Sequence, residues 1–168
     1  MTTKLLYRGP SLSELHDRYA KQHRVDTEAP LQDRSTIEIA APVAQVWQIV
    51  ADVQSWSQWA PGITVAHVSG VRPDATFRWN LNGVEIRAAF AVVDPPIELA
   101  WTGRFLIYRA IDRVLLAALE AQRTSVTFEE SLAGPLLSIL YRSAQLRANH
   151  ERFLTSLKKV AERAGARA

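Results

Sequence analysis

From position 35 onward apolar and polar residues alternate with the period of a half-buried strand: in STIEIA (35–40), Ile37 and Ile39 alternate with Thr36, Glu38 and Ala40. The period then lengthens. Val43, Val46, Trp47, Ile49, Val50 and Val53 recur at spacings of three and four through PVAQVWQIVADV, which predicts a helix with Pro42 at its first turn. WSQWAPGI (56–63) follows, with Trp56 and Trp59 three positions apart before Pro61 and Gly62 break the backbone. An indole buries roughly 200 Å², so this turn is expected to pack on the core, a ligand or a partner.

Between 63 and 132 short runs alternate with turn signals: ITVAHVS before GVRPD, ATFRWNL before Asn82-Gly83, VEIRAAFAVV before Asp94-Pro95-Pro96, then IELAWTG. Such spacing predicts an antiparallel meander. Ala75, Phe77, Trp79 and Leu81 share one face, as do Val84, Ile86, Ala88, Phe90 and Val92, so one side of the sheet is expected to be apolar and the other wet. YRAIDRVLLAALEAQ (108–122) has helix-favouring composition in LLAALEAQ and is read as a strand; TSVTFEES, rich in β-branched residues, reads as the last strand. A long helix is expected from Gly134-Pro135 onward, with Ile139, Leu146, Phe153, Leu157, Val160 and Ala164 on one stripe and Arg142, Arg152, Lys159 and Arg163 off it.

The first 34 residues are polar. Leu12, Leu15 and Tyr19 share a helical face, Ser11 to Glu14 has capping-box spacing, and RVDTEAPLQDR reads as a linker. The expected organisation is an extension over 1–34, either a surface helix on a tether or a docking arm, ahead of a compact unit over 35–165. His16 and His23 lie seven apart on the extension, too few ligands to define a metal site.

Length and composition sharpen this picture. A chain of 168 residues, 48% apolar, is the size of one ordinary domain with one substantial core. The absence of cysteine excludes disulfides and thiolate chemistry and suits a reducing, cytoplasmic setting. No run approaches a membrane span, and the N-terminus lacks a signal-peptide core. A net charge of +3 is too mild to specify an anionic partner, and acidic residues such as Glu151 and Glu162 among the late arginines argue against nucleic acid.

The order strand, helix, antiparallel strands, long C-terminal helix, with STIEIAAPVAQVWQIVADVQSWSQWAPGI, DPPIELAWTGR and RTSVTFEES in sequence, resembles the START/Bet v 1-like (SRPBCC) superfamily, and within it the bacterial polyketide cyclase/dehydrase-like and lipid-transport branch. The resemblance covers roughly residues 35 to 163. It implies an α+β helix-grip fold, a curved antiparallel sheet of about six to seven strands around the last helix. It also implies a cavity for a hydrophobic small molecule such as a lipid, isoprenoid or polyketide, without a cofactor or metal. Trp56 and Trp59 would then plug the core or line the entrance, and Phe77, Trp79, Phe90, Trp101, Tyr108, Leu146, His150 and Phe153 would line the cavity.

Two titratable residues fall in apolar surroundings. His150 lies near the middle of the last helix's stripe, where desolvation is expected to keep it neutral, satisfied by a core neighbour or offering one donor and one acceptor to a ligand. Asp112 shares parity with Val114 and Leu116, which turns it inward, although an outward pairing with arginine is equally open. Facing each other they would form an acid–base pair suited to dehydration or cyclisation. Glu129 and Glu130 are adjacent and point to opposite faces. No serine-hydrolase elbow, zincin motif, P-loop or dinucleotide fingerprint is present. Binding of a hydrophobic molecule is thus the first expectation, a cyclase or dehydratase the alternative, and a protein-interaction module the third.

Overall fold

The computed structural model describes residues 6–165. Seven strands, β1 (Leu31–Ile39), β2 (Ile63–Val68), β3 (Thr76–Leu81), β4 (Val84–Asp94), β5 (Glu98–Phe105), β6 (Tyr108–Glu120) and β7 (Arg123–Ala133), form one antiparallel sheet in the order β1-β7-β6-β5-β4-β3-β2. Between β1 and β2 run α2 (Val43–Ala51) and α3 (Trp56–Trp59), and after β7 come α4 (Leu137–Leu140) and α5 (Ser143–Gly165). Helix α5 lies against the inner face, buried along Leu146, His150, Phe153, Leu154, Leu157 and Ala161. Its end is tied to β1 by the Lys158 ammonium donating to the Glu38 carbonyl at 2.6 Å and the Ala40 N–H donating to Glu162 at 2.9 Å. This is the α+β helix-grip architecture that the periodicity and the resemblance imply.

The helix-favouring stretch LLAALE is strand after all: β6 is flanked on both sides, and two ladders of backbone hydrogen bonds override a propensity difference of tenths of a kcal/mol per residue. Four expectations need correction. The first strand begins at Leu31, inside the segment read as linker. The last helix does not start at Pro135: Tyr141 is extended (φ −136°, ψ 134°), which separates α4 from α5 and leaves Ile139 outside the buried stripe. Val92 does not share the face of Phe90, because a bulge between Phe90 and Val92 shifts the register and sends Val92 outward.

Nor is the outer face simply wet. A capping box closed by Ser11 and Glu14 opens α1 (Leu12–Glu14), and the chain continues through a wide turn (Leu15–Tyr19) and a tight one (Ala20–Gln22). This segment packs Leu15, Ala20 and Val25 against Ala91, Val92, Ala100 and Ile111 on the outside of the sheet. His16 and His23 are used separately: His16 bonds Thr102 at 2.8 Å and Asp74 at 3.0 Å, and His23 meets Glu98 at 2.7 Å. Glu98 in turn anchors an outer-face row, Glu98–Arg113–Glu129–Arg34, with contacts of 2.7, 2.7 and 2.9 Å.

Candidate functional site

The inner face of the sheet carries a polar layer between two apolar ones. Register sets Asp33 (β1) opposite Glu130 (β7), Glu130 opposite Asp112 (β6), and Asp112 opposite Trp101 (β5), so four side chains stand in one row across four strands. His150 comes down on this row from α5, its Nδ1 2.8 Å from Asp33 Oδ2 and its Nε2 2.8 Å from Glu130 Oε2. The ring stacks on Phe128 at 4.2 Å between centroids. Arg147, one turn earlier, donates to Asp33 Oδ1 at 3.0 Å, and Ser35 donates to Asp33 Oδ2 at 2.6 Å.

The chemistry of the layer follows from its donors and acceptors. Two carboxylates at the two ring nitrogens require both nitrogens to donate, which is the imidazolium form. Burial opposes that charge, but the hydrogen bonds and charges of Glu130 and then Asp33 outweigh it and raise His150 above 6.5. Burial likewise pushes Asp33 up, and the bonds from Ser35, Arg147 and His150 outweigh it, leaving its carboxyl below the ordinary range. Asp112 goes the other way: burial first, then the charge and hydrogen bond of Glu130, raise it well above its ordinary value. A protonated Asp112 can donate to Glu130, so the layer balances two carboxylates against His150 and Arg147. The expectation of a neutral His150 with a nitrogen free for a ligand is therefore corrected: charge pairing inside the core outweighs desolvation.

Asp112 points inward, as its parity implies, and the two candidates are joined rather than facing: Glu130 stands between Asp112 and His150. Sequence reasoning missed Glu130 and Asp33. Both alternate in phase with inward residues, Glu130 with Phe128 and Leu132, Asp33 with Leu31, and that phase was the signal available.

The apolar candidates divide around the polar layer. On one side Trp56, Phe77, Trp79, Phe90, Trp101 and Phe153 share a cluster with half-buried Trp59 at its margin. On the other, Tyr108 and Leu146 pack with Leu31, Leu132 and Leu137. The first cluster is ring on ring: Trp56 touches Trp101 at 5.4 Å and Phe153 at 5.5 Å, Phe77 stacks on Phe90 at 4.5 Å, and Trp101 meets Phe128 at 6.0 Å. These rings pack against one another between sheet and helix, where the ligand was expected to lie. Trp56 is a core residue, 1% exposed and donating to the Val50 carbonyl at 3.0 Å. Trp59 sits between the interior, where it lies 5.1 Å from Phe153, and a surface groove of about 470 Å³ lined by residues 57–64, Asn80 and Gly83. A second groove, about 310 Å³, runs between β1 and α5 beside Arg147.

Two polar atoms of the interior lack partners among the described residues: the indole N–H groups of Trp79 and Trp101. Trp101 stands opposite Asp112, and its N–H, held toward that carboxyl at a geometry looser than an ordinary hydrogen bond, acts to lower it against the larger effects of burial and Glu130. Among the described residues no group of three His, Asp or Glu side chains is arranged to hold a metal ion.

A sheet closed on a C-terminal helix around a mixed aromatic and ionic interior defines a helix-grip protein of the START/Bet v 1-like superfamily. More narrowly, the chain belongs to the family described as polyketide cyclase / dehydrase and lipid transport, whose model matches residues 32–162. Solved structures with the same fold include a hypothetical protein from Helicobacter pylori (17% identity, 96% of this chain and 99% of that one, TM-score 0.70). An aromatase/cyclase from a Streptomyces species (17% identity, 79% and 93%, TM-score 0.67) and a START superfamily protein from Mycobacterium smegmatis (16% identity, 79% and 98%, TM-score 0.66) share it too. No curated protein matches the sequence. No helix of the described residues is long and apolar enough to cross a membrane.

Proposed function

We propose that the protein binds a hydrophobic small molecule bearing a carbonyl or similar acceptor oxygen, between the sheet and α5. The observation that carries this reading is the buried, unpartnered indole N–H of Trp79, together with that of Trp101, which is held only loosely toward Asp112. A buried donor without an acceptor costs about 1–3 kcal/mol, and native interiors rarely keep one without use. An acceptor oxygen brought in on an apolar body would satisfy either donor, while the surrounding rings take the rest of the molecule. Entry runs past Trp59, whose displacement from Phe153 would join the groove at residues 57–64 to the interior. The family's description as lipid transport and polyketide cyclase supports a lipid, isoprenoid or polyketide as the ligand class.

A second reading, an enzyme of the cyclase or dehydratase type, is favoured by one feature: burial and Glu130 push the Asp112 carboxyl well above its ordinary value, beside the Trp101 indole where a ligand carbonyl would lie. The named activity of the Streptomyces aromatase/cyclase lends it support.

Mass spectrometry of an organic extract of the purified protein tests the first reading. The expected result is one recurring hydrophobic compound, lost from Trp59→Ala at a smaller cost in stability than Trp56→Ala, which costs about 3–5 kcal/mol as a core deletion. Bare protein in native spectra, with no change of tryptophan fluorescence on adding fatty acids, isoprenoids or aromatic polyketides, would remove it. Chemical change of the compound with wild type but not with Asp112→Asn would establish the enzyme reading; recovery unchanged from both would leave a carrier.

A further inference from the structure

The outer face carries a row of like charges. Register places Arg78 (β3) opposite Arg87 (β4), Arg87 opposite Arg104 (β5), and Arg104 opposite Arg109 (β6), with exposed His67 (β2) beside Arg78. Paired residues of neighbouring strands project to the same side, and like charges directly opposite destabilise a sheet. Arg87 has a partner in Glu85 at 3.2 Å, and Arg109 donates to the Pro10 carbonyl at 2.6 Å. Arg78 and Arg104 form no ion pair among the described residues and are exposed. Four arginines thus form a band in which two, Arg78 and Arg104, carry no acidic partner among the described residues.

One step beyond this band the same end of the sheet carries exposed aliphatic side chains. The β5–β6 turn presents Leu106, 87% exposed, and Ile107; the β3–β4 hairpin presents Val84. Helix α4 stands at this end, because Leu137 packs with Tyr108 while Gly134 lets the Tyr108 ring approach where a Cβ would be 2.2 Å away. With Leu137 turned in, Leu136, Ile139 and Leu140 face out, the last two 65% and 68% exposed. Aliphatic tips from two hairpins and a short helix, backed by a band of arginines, are the chemistry of a surface that enters the boundary of a lipid layer and holds its phosphates.

We propose that this end of the molecule docks on an anionic lipid bilayer, with Leu106, Ile107, Ile139 and Leu140 in the acyl boundary and Arg78, Arg87 and Arg104 at the headgroups. Nucleic acid would use the arginines but gains nothing from aliphatic tips, since base contact there rests on stacking aromatics. A second copy of the chain would bring one arginine band toward another. The inference is independent of what the interior binds.

Flotation of the full chain with vesicles tests it, comparing phosphatidylcholine alone with phosphatidylcholine plus phosphatidylglycerol at low and high salt. Binding is expected only with the anionic lipid, falling as salt rises. Each arginine at such a surface contributes about fivefold in partitioning, so Arg78→Ala with Arg104→Ala should lower it about 25-fold. Leu106→Ser with Ile107→Ser should lower it about tenfold or more. All of these side chains are exposed, so circular dichroism should show each variant folded. Flotation that is absent, equal on both lipids, or unchanged in either variant overturns the proposal. So does RNA binding that the arginine variant loses and the aliphatic variant keeps, or self-association abolished by Leu106→Ser and Ile107→Ser.

Discussion

At the scale of single residues, His150 shows how far a pattern carries and where it stops. Its place on the apolar stripe of α5 was legible, because helical spacing alone puts it between Leu146 and Phe153. Its charge was not, because the two carboxylates that set it come from β1 and β7, 117 and 20 residues away in sequence. Removing the ring leaves half-buried Glu130 without its cation and buried Asp33 with Arg147 alone. His150→Ala should therefore cost about 3–5 kcal/mol in chemical denaturation, more than its area alone implies. A loss below about 1 kcal/mol would mean that Asp33 and Glu130 take up protons or water instead and that the ion pairs contribute little. Asp112 teaches the complementary lesson: parity gave its direction, and only the register with Glu130 says why a carboxyl can stay there.

At the scale of elements, strand order and pairing followed from alternation and turn signals, while three departures came from contacts between elements. A bulge in β4 leaves no mark in an unbroken apolar run, so the outward turn of Val92 was hidden in AFAVV. The break at Tyr141 was hidden too, because LSILYRSAQ keeps helical composition. The N-terminal segment was seen as an amphipathic helix, but nothing in its own residues says that the sheet's far side completes it. Leu15 is 1% exposed at the centre of that contact. Leu15→Ala should destabilise the packing of residues 11–25 by about 2–5 kcal/mol. Hydrogen exchange should show the loss confined to this segment and the outer side of β4 to β6, with the α5 amides still protected. Uniform loss across the sheet would show that the segment unfolds together with the rest.

For the whole molecule, the polar layer couples the grip of α5 on the sheet to pH. Asp33 has a lowered folded pKa, so its contribution is present above its ordinary 3.8 and is lost as pH falls through the folded value. His150 has a raised folded pKa, so its contribution is complete below 6.5 and is lost as pH rises through the folded value. Asp112, also raised, contributes most below 3.8 and loses ground as pH climbs toward its folded value. The layer therefore holds α5 best in mildly acidic solution and loosens toward alkaline pH. Thermal denaturation of wild type across pH, set against His150→Gln, should show a difference in pH dependence that grows from pH 6.5 upward. The same slope in both proteins above pH 6.5 would mean that His150 is already neutral when folded, and the charge balance drawn for Asp33, His150, Glu130 and Asp112 would fail. If the slope differs as expected, deprotonation of one ring weakens the tie between α5 and the row of carboxylates, and any ligand entering between helix and sheet should be released more readily as pH rises.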